Sequence, residues 1–332
     1  MTNKKAEKNV ALKNQMELWL FCAIIGAAAG ALVWLLLKIM SVGTEFLWNW
    51  IPEKISLPYY TIFVCTVGAT ITGVFRKLLG DYPEELETVM DKVRKEKRYE
   101  YKNMLVMMIA ALLPLLIGSS IGPEAGLTGI IVGLCYWAGD NLKFAGQNTK
   151  NYSQIGAAVS MSVLFHAPLF GIFEVEENTD EDLTSLTKGS KLFIYGIALA
   201  AGTGIYAGLS SLFGAGLSGF PSFDMVELEK KDYLFMILYI LCGLILAYFY
   251  LGTHELLKSI SQKVPPIIKE ILAGLCLGIT GTFLPVLLFS GEEQMGNLME
   301  TYTSYLPLTL IGIAFFKVLL TNLCIQFGLK GG

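Results

Sequence analysis

Residues 104–138 read MLVMMIAALLPLLIGSSIGPEAGLTGIIVGLCYWA. Two apolar runs are joined by a turn that holds Gly118, Gly122 and Gly126, with Pro123 and Glu124 between them. The periodicity predicts one helix over about 103–117 and a second that starts beyond Gly122 and Pro123, because proline fits the first turn of a helix. The result is a broken helix with a carboxylate at the break. An ionised carboxylate in a membrane interior is costly unless paired or hydrated, so an acid placed there is a functional candidate by default. The free N–H groups and the positive dipole end of the second helix also collect at this point, and such an end attracts anions. A carboxylate standing in that place would occupy the anion position and block it; protonated or displaced, it would open the path. The competing reading is a glutamate that caps a helix at a water interface.

Outward from this stretch, the chain repeats the same character. Residues 16–40, 60–75, 192–219, 233–251, 271–290 and 306–329 are further long apolar blocks. Apolar residues make up 54% of the chain and charged residues 16%, against about 25% charged in a soluble domain. Blocks near twenty residues match the hydrocarbon thickness as helices. Several of them exclude a single secretory signal. The fold class expected is therefore all-α and polytopic, with short, tilted or broken helices. Non-helical backbone at depth is tolerated only where it is buried or lines a water-filled path. Glycines within 26–30, 68–73 and 274–281 are expected to let helices approach closely. Cys22, Cys65, Cys135, Cys242, Cys276 and Cys324 all sit inside apolar blocks and read as small packing residues. His166 reads as a packing histidine and His254 as a residue at a helix end. No metal or organic cofactor is expected. A membrane-embedded enzyme lacks the nucleophile, base or metal set it would need.

Basic residues give the orientation. Lys4, Lys5, Lys8 and Lys13 lie in the N-terminal tail, and Arg76, Lys77, Lys92, Arg94, Lys95, Lys97, Arg98 and Lys102 in a later connection. Both are expected on the cytoplasmic side, with the 42–58 loop outside and Trp48, Trp50, Tyr59 and Tyr60 in an outer aromatic belt. Residues 1–15 are expected to form a flexible cytoplasmic tail.

A repeat underlies the chain. A long apolar helix (17–40), a glycine-rich helix (60–79), an acidic turn (80–86) and an apolar helix ending in glycines (103–126) are followed by the same series. The second copy is a long helix (233–251), a glycine-rich helix (266–284), a Gly-Glu turn (291–295) and an apolar helix (306–323) ending at Gly328, Gly331 and Gly332. Corresponding points lie roughly 205–215 residues apart, the signature of a transporter built from repeats with its site at their interface. The division expected is 1–15 tail, 16–219 first repeat, 220–232 linker and 233–332 an incomplete second repeat. The second copy stops where the first continues, so roughly 80–100 residues of helix are expected beyond it.

A second acidic feature lies in the run from Phe165 to Glu177. A short apolar helix there ends in Glu174, Glu176 and Glu177. These acids read equally as a proton relay or as the start of a solvated loop, since Asp180, Glu181 and Asp182 follow.

At these residues the sequence resembles the CLC family of chloride channels and chloride–proton exchangers, in a compact bacterial-type form. Gly122-Pro123-Glu124-Ala125-Gly126 is similar to the family's Gly-Lys/Arg-Glu-Gly-Pro turn. Phe165 to Glu177 is similar to its Phe-Asn-Ala-Pro-Leu run ending in Glu-Glu, and 274–291, with Pro285, to its second-half helix pair. The resemblance implies two inverted-topology repeats with broken helices at the midplane, and a homodimer in a cell membrane with one anion pathway per subunit. It implies that Glu124 is the gating glutamate. Anion-binding positions would be Ser119, Ser120, Gly122, Pro123, Ala125 and Gly126, with Gly328 and Gly331 at the second break. Proton-transfer candidates are Glu176 and Glu177. Departures are also plain. Ala125 and Gly126 replace Gly-Pro, the turn Gly80-Asp81-Tyr82-Pro83 lacks the family's serine, and Asn178 falls where the family's inner proton-transfer glutamate stands. Channel and proton exchanger both stay open. So do chloride and fluoride as the anion, and a repeat-built transporter for another solute.

Overall fold

The computed structural model describes residues 2–80, 103–141, 158–165, 167, 188–214 and 229–330, with Tyr82, Glu84, Val89, Lys92 and Lys95. All regular structure among them is helical. In order the principal elements are α1 (Thr2–Glu45), a π-helical turn (Phe46–Trp50), α2 (Ile51–Lys54), α3 (Tyr60–Leu79), α4 (Met104–Leu116), α5 (Glu124–Asn141), α6 (Lys188–Phe213), α7 (Lys230–Ser261), α8 (Ile268–Phe283), α9 (Glu292–Thr301) and α10 (Pro307–Gln326). Among the described residues, five stretches are long and apolar enough to cross a membrane: Trp19–Lys54, Tyr60–Leu79, Leu192–Phe213, Lys230–Ser261 and Pro307–Gln326.

Helix limits follow local chemistry. Gly80, at φ 117°, ends α3 and donates its N–H to the Arg76 carbonyl. The Asp232 carboxylate accepts the Glu229 N–H and so closes the start of α7, a capping device that satisfies an orphan donor. Pro307 occupies the first turn of α10. Gly291, at φ 110°, precedes α9, whose Glu292 and Glu293 stand in the first turn, where negative charge complements the helix dipole.

Three expectations need correction. The tail expected to be flexible is helical from Thr2 onward. Residues such as Ala6, Glu7, Lys8 and Leu12 are good helix formers, and adding turns to an existing helix avoids the cost of nucleation. The loop expected over 42–58 is mostly helix as well, through Lys54, and only residues 55–59 connect to α3. Tyr59 takes the left-handed conformation there, at φ 61°. His254 also lies within α7 rather than at its end.

The chain divides into two compact units. One comprises Met1–Ser41, Glu84–Met108 and Glu124–Leu217; the other comprises Val42–Pro83, Ile109–Pro123 and Ser218–Gly332. In the first unit, α1 and α6 run side by side in the same direction, joined from Trp19 on Phe193 to Trp34 on Phe213. A Cβ built on Gly26 would meet the Ala198 carbonyl oxygen at 2.0 Å, and one on Gly30 would meet that of Gly202 at 2.1 Å. This small-xxx-small register permits backbone-to-backbone packing, the main source of helix association where lipid supplies no hydrophobic drive.

The second unit is built on α3 and α8, its most extensively packed helix pair. Gly278 meets Ile62, Gly274 meets Cys65 and Ala69, and Gly73 meets Ile267 and Glu270. Rising numbers on α3 face falling numbers on α8, so the two glycine-rich helices of the repeat run antiparallel, as inversion requires. Beside them, α7 and α10 pack in parallel through Phe249 on Phe315 and Asn322 on Tyr250 and Thr253. The N-terminal half of α7 is apolar and exposed all round; with apolar residues on every face, it suits a hydrocarbon environment.

Candidate functional site

The break after α4 lies in the second unit up to Pro123. A helix end leaves its last carbonyls without intrahelical donors, and inside a membrane no water replaces them. Every carbonyl from Leu113 to Ser119 is nonetheless satisfied. Ile117 N–H donates to Leu113 O, Ser119 N–H to Pro114 O, Gly118 N–H to Leu115 O and Ile121 N–H to Ser119 O. Trp48 Nε1 donates to Leu116 O at 2.9 Å, Cys65 Sγ to Ile117 O at 3.3 Å, and Phe289 N–H to Gly118 O at 3.0 Å. The bonds at Gly118 (φ 80°) and Ser119 form a Schellman motif, in which glycine takes the left-handed position without a Cβ penalty.

Among the described residues, two donors at the break have no acceptor. Ser119 is fully buried and its hydroxyl has no partner. Gly122 N–H has no acceptor among the described residues. Ser120, also buried, pairs through Oγ with Thr321 Oγ1 of α10 at 3.2 Å. Pro123 is buried and offers no N–H. Glu124 then begins α5, with Ala125 second and a buried Gly126 third. The side chains of Glu124 and Ala125 lie outside the described residues, as do Asp81, His166, Glu176, Glu177, Asn178 and Gly331.

The end of α10 repeats this local chemistry at the offset read from the sequence. Gly328 (φ 94°) donates to Ile325 O and Leu329 N–H to Cys324 O, the same Schellman pattern. Its carbonyl is taken by Arg76 Nη1 of α3 at 2.6 Å. The same Arg76 Nη1 reaches Glu270 Oε1 at 3.1 Å, and Glu270 Oε2 accepts the N–H of Ile267, a residue held at φ 74°. Arg76 and Glu270 side chains are 10% and 3% exposed, so this ion pair is buried and depends on its added hydrogen bonds. Each helix end is thus closed by a group far along the chain: Gly118 by Phe289, and Gly328 by Arg76.

The structure brings Ser119, Ser120, Gly122 and Pro123 together in one turn and surrounds it with groups the sequence did not single out. Trp48, expected in an outer belt, supports the break, with its ring against Phe289 and Tyr60 and its edge over Gly118. Lys317, the one basic residue in the 306–326 apolar run, went unnoticed. Its ammonium donates to the carbonyls of Leu287, Leu288 and Phe289. A lone charge inside an apolar helix was the signal that would have found it. Among the described residues no group of three or more His, Cys, Asp or Glu converges as a metal site.

Comparison with known proteins places this architecture. The chain is 22% identical over 342 residues to chloride channel protein CLC-e of Arabidopsis thaliana, an alignment that spans 93% of this chain and 46% of that protein. It is 23% identical over 282 residues to the voltage-gated ClC-type chloride channel ClcB of Escherichia coli, spanning 82% of this chain and 63% of that protein. It therefore covers between about half and two thirds of the curated relatives' length. The crystal structure of a CLC-type fluoride/proton antiporter superposes with a TM-score of 0.67 at 21% identity, over 96% of this chain and 77% of that one; this supports the all-helical, multi-pass membrane fold. The family described as voltage gated chloride channel matches residues 84–332, three quarters of the sequence, and the chain belongs to that family.

Proposed function

We propose that the chain forms part of a transmembrane pathway for chloride or a similar small anion, with the break at Ser119–Pro123 contributing to the binding site. One observation carries the reading: the carbonyls leading into the break are all occupied, while a buried hydroxyl and a backbone N–H are left to donate. Such a turn favours a negative ion over a positive one. Glu124, next in the chain, is the gating group of this proposal, and the second anion turn is at Gly328 and Gly331. Glu176 and Glu177 are its proton-transfer candidates. The protein works as a homodimer with its N-terminus in the cytoplasm, and the chain divides into a tail (1–15), a first repeat (16–219), a linker (220–232) and a second repeat (233–332). It is a transporter or channel and not an enzyme.

Fluoride is the second reading. It is supported by the likeness to a fluoride/proton antiporter and by the absence of a serine from Gly80-Asp81-Tyr82-Pro83.

The test uses liposomes loaded with chloride, or in parallel with fluoride, and diluted into halide-free medium with valinomycin present. Anion efflux and external pH are recorded together. Efflux with opposing proton movement identifies an exchanger, and efflux without it a channel. Glu124→Gln is expected to change the flux and its pH response; an unchanged profile refutes the gating role. No halide flux from the wild type refutes the proposal.

A further inference from the structure

Lys317 carries a consequence beyond that reading. Its Nζ donates to the carbonyl oxygens of Leu287, Leu288 and Phe289, at N···O distances of 3.0, 3.3 and 2.5 Å. These three oxygens converge on one point. Dipoles solvate a charge without neutralising it, and among the described residues no carboxylate forms an ion pair with Lys317. A net positive charge therefore stands within an apolar helix, where such charges face a pathway or a partner.

The position of that charge relates it to the break. Phe289, whose carbonyl accepts from Lys317, donates its own N–H to Gly118 O. One residue thus links the ammonium to the turn that holds the unpartnered Ser119 hydroxyl. Thr321, which pairs with Ser120, lies four residues after Lys317 and so on the same face of α10. Two contacts, independent of each other, turn this face of α10 toward the break. Gly291, with φ 110°, is close by: a Cβ there would meet Lys317 Cε at 3.7 Å.

We infer that Lys317 is a specificity-determining residue of the anion site, a fixed charge that raises the affinity of the Ser119–Gly122 turn for a monovalent inorganic anion. It acts through the field, since its hydrogens are already bound. It also cancels three carbonyl dipoles whose negative ends would otherwise gather beside the break and repel an anion. Without the ammonium, the same oxygens resemble the hard ligands that hold cations. The inference rests on the proposed anion site.

The experiment is halide titration of the purified full-length protein by calorimetry, with sodium chloride and sodium fluoride as probes, beside thermal melts of each variant. Lys317→Gln keeps a hydrogen-bond donor and removes the charge; Lys317→Arg keeps the charge. A unit charge about 10 Å away at an effective dielectric of about 20 changes an ion's affinity by roughly tenfold. Lys317→Gln should therefore bind the favoured halide about tenfold more weakly, and Lys317→Arg should stay within about twofold of the wild type, whatever their melting temperatures. Ser119→Ala should weaken the same binding without altering the three carbonyl contacts. Wild type that binds neither halide overturns the anion site itself. Wild type that binds, with Lys317→Gln equal to it, leaves the anion site standing and overturns the role of Lys317. So does loss of binding in Lys317→Gln and Lys317→Arg alike, in step with lost stability, which assigns Lys317 to folding alone.

Discussion

Gly274→Ala is the sharpest probe of the α3–α8 pair. The new Cβ would lie 2.4 Å from Ala69 Cβ and 2.5 Å from the Cys65 carbonyl oxygen. Carbon atoms in good contact stand about 3.5–4.0 Å apart, so the helices must separate by an appreciable part of that difference. Neither neighbour is the end of a flexible side chain. Forcing one methyl group into a packed contact costs about 1–3 kcal/mol. Against this, Ala in place of Gly inside a helix gains about 0.5–1 kcal/mol. Gly243→Ala isolates that gain, because nothing lies within 4 Å of a Cβ at Gly243 on α7. The two substitutions are chemically identical, the helix gain cancels between them, and they should differ by the overpacking cost of about 1–3 kcal/mol. At about 2–4 °C per kcal/mol, Gly274→Ala should melt roughly 2–12 °C below Gly243→Ala, followed by tryptophan fluorescence of detergent-purified protein. Adding Ala69→Gly removes the first contact and leaves the carbonyl contact, so rescue should be partial. Equal melting temperatures for the two single variants would refute close backbone packing as the basis of this pair.

Three further outcomes are expected. Arg76→Met and Glu270→Gln should each destabilise by about 3–5 kcal/mol, because each strands a buried partner; the double variant should cost less than the sum, and strict additivity in a double-mutant cycle would show that the pair is not coupled. Gly328→Ala should be worse than Gly118→Ala in the same melt, since its Cβ would fall 2.1 Å from Arg76 Nη1 whereas that at Gly118 meets Trp48 Cζ2 at 3.0 Å; the reverse order would argue against the Arg76 contact. Trp48→Phe keeps an aromatic ring but strands Leu116 O, which should lower stability by about 1–3 kcal/mol, read as a shift in denaturation midpoint.

The sequence displayed what is local. The broken helix at 118–126, the glycines that bring α1 to α6 and α3 to α8, and the ends of α3, α4, α8 and α10 were legible, because each depends on residues within a turn or two. What escaped was set by partners far along the chain. Trp48 looks like any interfacial tryptophan until Leu116 and Phe289 are seen beside it. Arg76 reads as a cytoplasmic loop charge, yet it enters the protein to meet Glu270, 194 residues away. Lys317 passed as one polar position in an apolar run, because hydropathy averages a single charge away. The 2–15 helix escaped for a different reason: its polar residues carry no apolar period, and the helix continues there by propensity and extension.

The crossed closure of the two helix ends bears on biosynthesis. Gly328 O is claimed by a residue made 252 positions earlier, and Gly118 O waits for Phe289. At about 5–20 residues per second, tens of seconds separate synthesis of Arg76 from that of its acceptor. During that time Arg76 has reached the translocon without Glu270 or Gly328, and the α4 end lacks a donor. The nascent first half is thus a dependent intermediate, exposed to quality control until the second half arrives. Substitutions at Arg76 or Phe289 should be seen first as lost yield in the cell, before any defect in transport can be measured.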